Sequence, residues 1–454
     1  MPHRLTLCEM VEQIHTRKLS PRELVKAHLK HIAALNPQVN AFIRIFDEPE
    51  MLRHGPLAGI PISIKDSFDI AGVPTTCGST FLRDKDATTD VTIVARLKQA
   101  GAVPIGKTNC PEFLSNYESD NYVIGRSNNP WNLERTPGGS SGGEAAAIAA
   151  RFSAGGIGSD GGGSIRVPAH FTGIVGLKPT PGRVSSFGHV PPMLHPAGMV
   201  GVAGPMARTA EDVRLLFRVI AGYDAQDPFS APVPLRDASL QNLRVGLIEN
   251  FNQVPVQAAV AQALRKAAEC LAELKIPVEP FSTAPLQRAP NLWWLLFGVL
   301  PASASRDLIA GREDQVHWTG TEFLQKALAE PEPTVAQFTA TFEARDQMRA
   351  ALLRDMERVP VLLAPVSSVS AFAHRQRRYQ TPSKEIGQFQ AMMSATWVNL
   401  LGLPSIALPF GLDADGLPVG VQLVGRPFEE ELLLDLAVEL EKMRGPFPAP
   451  PLLT

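Results

Sequence analysis

Serine and glycine are concentrated in two short stretches of the chain, residues 137–143 (PGGSSGG) and 155–164 (GGIGSDGGGS). Glycine allows backbone N–H groups to approach a ligand closely, and clustered N–H groups bind anions. A serine beside them is a candidate nucleophile. For an isolated stretch, a flexible loop is the alternative interpretation. Two such stretches, joined by a strong helix former (residues 144–150) and followed by Arg166 and Pro168, favour catalysis.

A serine hydroxyl is a weak nucleophile at neutral pH and needs an adjacent base. Neither stretch contains a histidine, so the base must be of another type. Lys65 directly follows the short apolar run Ile60–Ile64 (IPISI), where loss of hydration lowers the pKa of a lysine. To act as a base near pH 7, that pKa must fall from about 10.4 to about 7–8. A surface lysine at the end of a strand is the alternative.

Two familiar sequence patterns are present without the elements that they require. Gly101–Thr108 (GAVPIGKT) satisfies the P-loop pattern, which needs a strand before it and a helix after it. Here a predicted helix precedes the first glycine and an apolar strand lies between the two glycines, so we do not expect nucleotide binding. Gly138–Gly142 satisfies G-x-S-x-G, but the preceding WNLERTPGG is a poor strand for a nucleophile elbow. Later histidines leave a serine–histidine triad open: His170, His189, His195, His317 and His374.

From GPLAGIPISIKD (55–66) to GLPVGVQLVGRPFEEELLLDLA (416–437), the sequence resembles the amidase signature family. The resemblance implies that Ser164, in the run GGSIR, is the nucleophile. It implies that Ser140, the first serine of GGSSGG, is a second catalytic serine that follows a cis peptide bond. The lysine of the family's SIKD motif falls on Lys65. Ser164 follows Ser140 by 24 residues, the separation expected of fatty-acid amide hydrolase-like members.

The same resemblance implies how the reaction proceeds. Ser140 would bridge Lys65 and Ser164 and pass a proton to the leaving amine, and water would later hydrolyse an acyl-enzyme on Ser164. The oxyanion hole would consist of backbone N–H groups, those of Gly161, Gly162, Gly163 and Ser164. No metal and no cofactor is expected.

Three further residues are candidates for holding the two loops in register: Ser141, Asp160 and Arg166. An ordinary hydroxyl or surface ion pair is their alternative interpretation. Gly161 is a departure from the pattern, because many relatives carry Thr, Ile or Val there. This difference keeps the N–H donor and makes the loop more flexible.

The elements around these residues alternate between strand-like and helix-like segments, which predicts the α/β class. We expect one large domain over residues 1–454, with a central mixed β-sheet flanked by helices. The segment at about 285–350 breaks the alternation, because it is helical and rich in Trp, Phe and Leu. We interpret it as a helical cap that binds substrate. Its Trp293, Trp294 and Phe297 suggest a lipophilic or aryl group, with packing inside the cap as the alternative.

Composition limits the partners and the location of the protein. A net charge of −2 provides no general basic field for nucleic acid. The four cysteines are scattered, and the N-terminus lacks the apolar core of a signal peptide. No apolar run is long enough to predict a transmembrane segment. We therefore expect a cytoplasmic protein that acts on a small-molecule amide, and a homodimer is compatible with the sequence.

Three functions remain open at this point. The first is a free-standing amidase acting on a small or lipophilic amide. The second is the A subunit of a glutamyl-tRNA(Gln) amidotransferase, which shares this fold and would hydrolyse glutamine within a complex. Glu144, after GGSSGG, favours the first, because the transamidase subunit usually has Ser there. The third is a non-catalytic binding protein, which the presence of Lys65, Ser140 and Ser164 disfavours.

Overall fold

The protein is built around an eleven-stranded mixed sheet, with a separate two-stranded sheet at its side. The computed structural model describes residues 1–51 and 54–453, without the side chains of residues 303–305, 307 and 308. The strand order in the large sheet is β1-β3-β2-β4-β6-β5-β12-β13-β9-β7-β8. The strands are β1 (Phe42–Ile45), β2 (Pro61–Lys65), β3 (Val103–Thr108), β4 (Gly155–Asp160), β5 (Val175–Lys178), β6 (Val202–Ala207), β7 (Val245–Leu247), β8 (Val278–Pro280), β9 (Val361–Pro365), β10 (Arg378–Gln380), β11 (Glu385–Gly387), β12 (Ser405–Leu412) and β13 (Pro418–Gly425).

Helices cover both faces of this sheet. They are α1 (Leu7–His15), α2 (Pro21–Val39), α3 (Thr92–Gln99), α4 (Gly142–Ala149), α5 (Arg166–Thr172), α6 (Ala210–Ile220), α7 (Ala258–Glu273), α8 (Ala289–Trp293), α9 (Leu300–Ile309), α10 (Trp318–Leu328), α11 (Val335–Arg358), α12 (Gln388–Leu400) and α13 (Glu430–Arg444). Strand β9 is apolar on both sides, because Val361 and Leu363 join one hydrophobic cluster while Leu362 and Ala364 join another. The predicted α/β class, with a mixed sheet between helices, is confirmed.

The carboxyl ends of three parallel strands meet at the centre of the molecule. Strand β2 pairs in parallel with β3 on one side and with β4 on the other. Lys65 is opposite Thr108 at the end of β3, and Ile64 is opposite Ile157 in β4. Because parallel strands end at the same edge of a sheet, the end of β4 lies beside Lys65. This edge is where α/β proteins commonly bind their ligands.

Several boundaries differ from those that the sequence predicts. Ser20 caps α2 through a capping box with Glu23, as the sequence indicates, but the helix continues past residue 35 to Val39. Strand β1 is correspondingly shorter than the predicted Val39–Ile45. Strand β4 was not predicted at all, because three glycines in six residues lower the β propensity. Strand β6 fills residues that the sequence left outside any element, up to the start of the predicted helix 207–220.

The segment at 285–350 consists of helices and helical turns in the described residues. It includes α8, a π-helix at Trp294–Val299, α9, α10 and most of α11. Its bounds as a cap remain a proposal. No described helix is long and apolar enough to cross a membrane.

Candidate active site

Lys65 and Ser140 form the centre of the site. The Lys65 ammonium Nζ lies 2.7 Å from Ser140 Oγ and 3.0 Å from Ser159 Oγ. Lys65 is fully buried and Ser140 is 1% exposed. Ser140 follows a cis peptide bond with Gly139. The candidate base and the candidate second serine therefore share a hydrogen bond, as the resemblance implies.

Burial lowers the pKa of Lys65 to about 8. The groups that oppose this shift are Cys110 and Cys77, followed by Asp160 and Glu144. The loss of hydration exceeds these attractions, because no carboxylate among the described residues forms an ion pair with the ammonium. A lysine with this pKa is partly neutral at mildly alkaline pH, so its nitrogen can accept a proton.

Ser164 lies between the end of β4 and the start of α5, next to the Ser140 loop. The Ser141 N–H donates to the Ser164 carbonyl oxygen at 3.1 Å. The Ser141 hydroxyl donates to the Ser159 carbonyl oxygen at 3.2 Å and accepts the Ser159 N–H at 3.3 Å. Ser141 thus joins the two loops, as expected. Ser164 is the partly exposed serine of the group, and its hydroxyl has no hydrogen-bond partner among the described residues.

Asp160 holds the glycine loop, residues 161–163, from below. Its carboxylate accepts the N–H groups of Gly163 (2.7 Å), Ile165 (3.1 Å) and Arg166 (3.4 Å). It also receives two hydrogen bonds of 3.0 Å from the Arg166 guanidinium. Although burial acts in the opposite direction, Arg166 keeps the pKa of Asp160 well below its usual range. Both side chains are completely buried, so this pair is structural rather than a surface ion pair.

The predicted oxyanion donors divide into two groups. The Gly163 N–H is engaged by Asp160, so this arrangement does not offer it to a substrate. Among the described residues, no acceptor takes the N–H of Gly161, Gly162 or Ser164. These three N–H groups are the ones available to a developing oxyanion.

Two aromatic side chains hold the carbonyl groups of the same loop. The Trp293 indole N–H donates to the Gly161 carbonyl oxygen, and the Tyr117 hydroxyl donates to the Gly162 carbonyl oxygen, both at 2.7 Å. Phe297 packs on the loop as well, since a Cβ on Gly161 would lie 2.3 Å from its ring. The sequence analysis placed Trp293 and Phe297 in a substrate wall and missed both loop contacts. Tyr117 was missed entirely.

Ser159 and Glu144 are further residues whose place near Lys65 was not predicted. Glu144 is buried beneath the site, where its carboxylate accepts hydrogen bonds from the hydroxyls of Ser63 and Thr108. Burial raises the pKa of Glu144 to about 7. Treating residues 155–160 as a strand would have placed Ser159 at the end of β4, beside Lys65.

Neither rejected motif has the elements that it would need. The lysine of GAVPIGKT, Lys107, lies within β3 and forms a buried ion pair of 2.8 Å with Asp66. No strand leads into Ser140 in the described chain. His170, the histidine nearest in sequence, bonds the Val369 carbonyl and the Gly420 N–H instead of a serine.

A cavity of about 390 Å³, here called the aromatic cavity, adjoins the glycine loop. Its wall includes Tyr117 and Trp293, the two residues that hold the loop carbonyls. The remaining aromatic lining comes from Trp294, Phe323 and Phe389. The cavity can therefore hold an apolar or ring-bearing group close to Ser164.

A buried lysine, two serine loops and free N–H groups at the end of parallel strands define a hydrolase site without histidine. The chain belongs to the Amidase family, whose model matches residues 23–434. Enzymes of this family, the amidase signature enzymes, are amide hydrolases that act on C–N bonds. A non-catalytic function is correspondingly disfavoured.

Curated relatives cover nearly the whole chain. The glutamyl-tRNA(Gln) amidotransferase A subunit of Pseudomonas syringae pv. syringae (strain B728a) is 34% identical over 485 aligned residues, covering 97% of this chain and 98% of the relative. The corresponding protein of Roseiflexus sp. (strain RS-1) is 36% identical over 479 aligned residues, covering 95% of each chain.

Solved structures of several amide hydrolases share the fold. The structure of 6-aminohexanoate cyclic dimer hydrolase complexed with substrate has a TM-score of 0.89 and 29% identity, and the match covers 100% of both chains. A bacterial aryl acylamidase has a TM-score of 0.85 and 26% identity, covering 97% of this chain and 96% of its own. Fatty acid amide hydrolase has a TM-score of 0.83 and 25% identity, covering 98% of this chain and 86% of its own.

Proposed function

We propose that the protein is a free-standing amidase in which Ser164 is the nucleophile, Lys65 the base and Ser140 the proton relay. The observation that carries the proposal is the 2.7 Å hydrogen bond between the buried Lys65 and Ser140. A lysine with its pKa lowered to about 8 has no ion pair to maintain and can receive a proton. Ser140 is held next to Ser164 by the contacts that Ser141 makes with the neighbouring loop.

In the proposed reaction, neutral Lys65 takes the Ser140 proton while Ser140 takes the proton of Ser164. The Ser164 oxygen attacks the amide carbonyl, and the N–H groups of Gly161, Gly162 and Ser164 stabilise the oxyanion. Loss of one such donor typically costs about 2.7–4 kcal/mol. The proton returns through Ser140 to the amine as the C–N bond breaks. Water then hydrolyses the acyl-enzyme through the same relay.

A small amide with a lipophilic or aryl group is the proposed substrate class. The aromatic cavity next to the glycine loop supports it, since stacked rings favour flat or apolar groups. The names of two structural neighbours, the aryl acylamidase and fatty acid amide hydrolase, are consistent with such groups. We propose the 285–350 segment as the cap that supplies this wall, because Trp293, Trp294 and Phe323 come from it. Cytoplasmic location and a homodimer stay predictions.

The A subunit of a glutamyl-tRNA(Gln) amidotransferase is the second candidate. The identity of 34–36% to such proteins over nearly the full chain favours it. An aromatic cavity suits the polar side chain of glutamine poorly, and for this reason we place it second. Glutamine hydrolysis would be measured with the chain alone and with the partner subunits of a bacterial amidotransferase. Glutaminase activity that appears only with the partners would establish this candidate over the first.

A fluorophosphonate probe tests the proposed nucleophile directly. The wild-type protein should be labelled, and peptide mapping should find the label on Ser164. Ser164→Ala should lose both labelling and amide hydrolysis. Ser239→Ala, at an exposed serine away from the site, is the control and should behave as wild type. Full labelling of Ser164→Ala would refute the assignment.

A further inference from the structure

The aromatic cavity is apolar near the catalytic loops and charged on its other side. Trp293 and Phe389 approach each other with ring centroids 6.4 Å apart, and Trp294 lies 6.3 Å from Phe389 and 5.2 Å from Phe323. Three charged side chains complete the lining, those of Glu322, Lys326 and Arg377. Which charges remain unpaired decides what kind of substrate group the cavity accepts.

Two of the three charges neutralise each other. The Arg377 guanidinium donates to both carboxylate oxygens of Glu322, at 2.7 and 2.8 Å. Arg377 also donates to Glu118 at 2.6 Å, and Glu322 receives the Asn116 amide at 3.1 Å. These contacts are charge-assisted hydrogen bonds, and they leave neither Glu322 nor Arg377 in need of a charged ligand.

Lys326 is different. In the part of the chain that the structure describes, no carboxylate lies within ion-pair distance of its ammonium. The ammonium is instead placed 5.0 Å from the ring centroid of Trp294 and 5.1 Å from that of Phe389. Cation–π attraction to two rings holds an ammonium in place without neutralising its charge. The cavity therefore has an aromatic wall with one unneutralised positive charge fixed above it.

We propose that the substrate is an amide whose apolar or ring-bearing part carries a carboxylate remote from the scissile bond, and that Lys326 binds this carboxylate. The proposal rests on the proposed amidase function and specifies its substrate. The apolar part would lie between Trp293, Trp294 and Phe389, with the amide carbonyl at the glycine loop. The carboxylate could belong to the acyl part or to the amine part, and both arrangements present the same chemistry to Lys326.

Two matched pairs of amides test the proposal. For a carboxylate on the acyl part, 4-carboxybenzamide is compared with 4-methylbenzamide. For a carboxylate on the amine part, 4-acetamidobenzoate is compared with 4-methylacetanilide. Values of kcat/KM are measured for the wild type, Lys326→Met, Lys326→Arg and Lys266→Met. Lys266, an exposed lysine of α7 that does not line the cavity, controls for the loss of one positive charge.

The wild type should prefer the carboxylate member of at least one pair by about five- to tenfold, as expected for a partly exposed charge pair. Lys326→Met should remove this preference and leave the neutral member nearly unchanged. Lys326→Arg should keep most of the preference, and Lys266→Met should keep all of it. The inference is overturned by the absence of a preference in both pairs, or by an equal loss for charged and neutral members in Lys326→Met.

Binding separates this inference from the proposed function. Calorimetric titration of the four amides into Ser164→Ala, with and without Lys326→Met, reports Kd without turnover. Tighter binding of a carboxylate amide that depends on Lys326 supports the inference even if the wild type hydrolyses none of the four. Hydrolysis in the wild type without any Lys326-dependent binding difference would refute the inference and leave the amidase function intact.

Discussion

The indole N–H of Trp293 donates a hydrogen bond of 2.7 Å to the carbonyl oxygen of Gly161. In a trans peptide unit the carbonyl group and the next N–H point in opposite directions. Fixing the Gly161 carbonyl on the Trp293 side therefore turns the Gly162 N–H the other way. That N–H is one of the proposed oxyanion donors, so a residue of the helical segment orients part of the catalytic loop.

Trp293→Phe should lower kcat by about ten- to a hundredfold with little change in KM. Complete loss of an oxyanion donor costs about 10²–10³ in kcat, and a misdirected donor retains part of its effect. The phenyl ring keeps most of the apolar wall, so ground-state binding should survive. Steady-state kinetics with a small aryl amide measures both constants.

Trp294→Phe is the matched control for this variant. Trp294 lines the same cavity, and neither the Gly161 nor the Gly162 carbonyl accepts a hydrogen bond from it. We expect an altered KM and a nearly unchanged kcat. Equal effects on kcat in the two variants would show that Trp293 acts only as a wall.

The side chains of the proposed catalytic centre were predictable from residue type and motif. Lys65, Ser140 and Ser164 stand in distinctive sequence contexts, and Ser141, Asp160 and Arg166 flank them directly. Strand β4 was not predictable from propensity, because its glycines serve a packing requirement. A Cβ on Gly156 would lie 1.9 Å from the Glu144 carboxylate, so α4 can approach the sheet only over a strand without side chains there.

The contacts of Trp293 and Tyr117 could not have been inferred from the sequence. Trp293 is 132 residues away from Gly161, and Tyr117 is 45 residues away from Gly162. Whether an aromatic residue packs in its own helical layer or reaches a distant loop depends on the path of the whole segment. Periodicity describes one helix at a time and contains no information about that path.

The dependence of activity on pH should follow the protonation of Lys65. The base is the neutral form, and its pKa is lowered to about 8. Activity should therefore be low in acid, rise with pH and be half-maximal near pH 8. A profile of kcat/KM from pH 5 to 10 measures this limb in the free enzyme. A half-maximum near 10.5, the ordinary value for lysine, would contradict the role of Lys65 as a desolvated base.

Glu144→Gln should move the same limb to lower pH. The Glu144 carboxylate raises the pKa of Lys65 by attraction, and its own pKa of about 7 leaves it largely ionised at pH 8. Glutamine has the same shape and can still accept the hydrogen bonds from Ser63 and Thr108 without the charge. Glu134→Gln, at an exposed position, should leave the limb in place. An unchanged limb in Glu144→Gln would exclude electrostatic control by this residue.

Gly161→Ala should reduce kcat/KM by about tenfold, because the new methyl group would lie 2.3 Å from Phe297 Cε2. Overpacking of this kind typically costs about 1–3 kcal/mol. The double variant Gly161→Ala/Phe297→Leu should recover most of the loss, since leucine vacates the space of the ring. A double-mutant cycle on kcat/KM measures the coupling. Additive losses would mean that the methyl group disturbs the loop without involving Phe297.

Asp160→Asn should lower the free energy of unfolding by about 3–5 kcal/mol, the usual effect of removing one partner of a buried ion pair. Arg166 would remain buried and charged, and the loop N–H groups would lose a charged acceptor. The folded-state pKa of Asp160 is depressed, so its stabilisation is fully present above the unfolded pKa of about 3.9 and disappears only as pH falls below it. Urea unfolding at pH 7 therefore measures the full effect.

Asp415→Asn provides the surface control for this measurement. Asp415 pairs with Arg135 at 3.1 Å, but its side chain is 63% exposed, and such pairs contribute about 0–1 kcal/mol. The double variant Asp160→Asn/Arg166→Met should be more stable than Asp160→Asn alone, because the uncompensated charge is removed together with its partner. If the double variant is the less stable of the two, Arg166 contributes mainly through Gln422, Asn399 and the Ala395 carbonyl, which it also contacts.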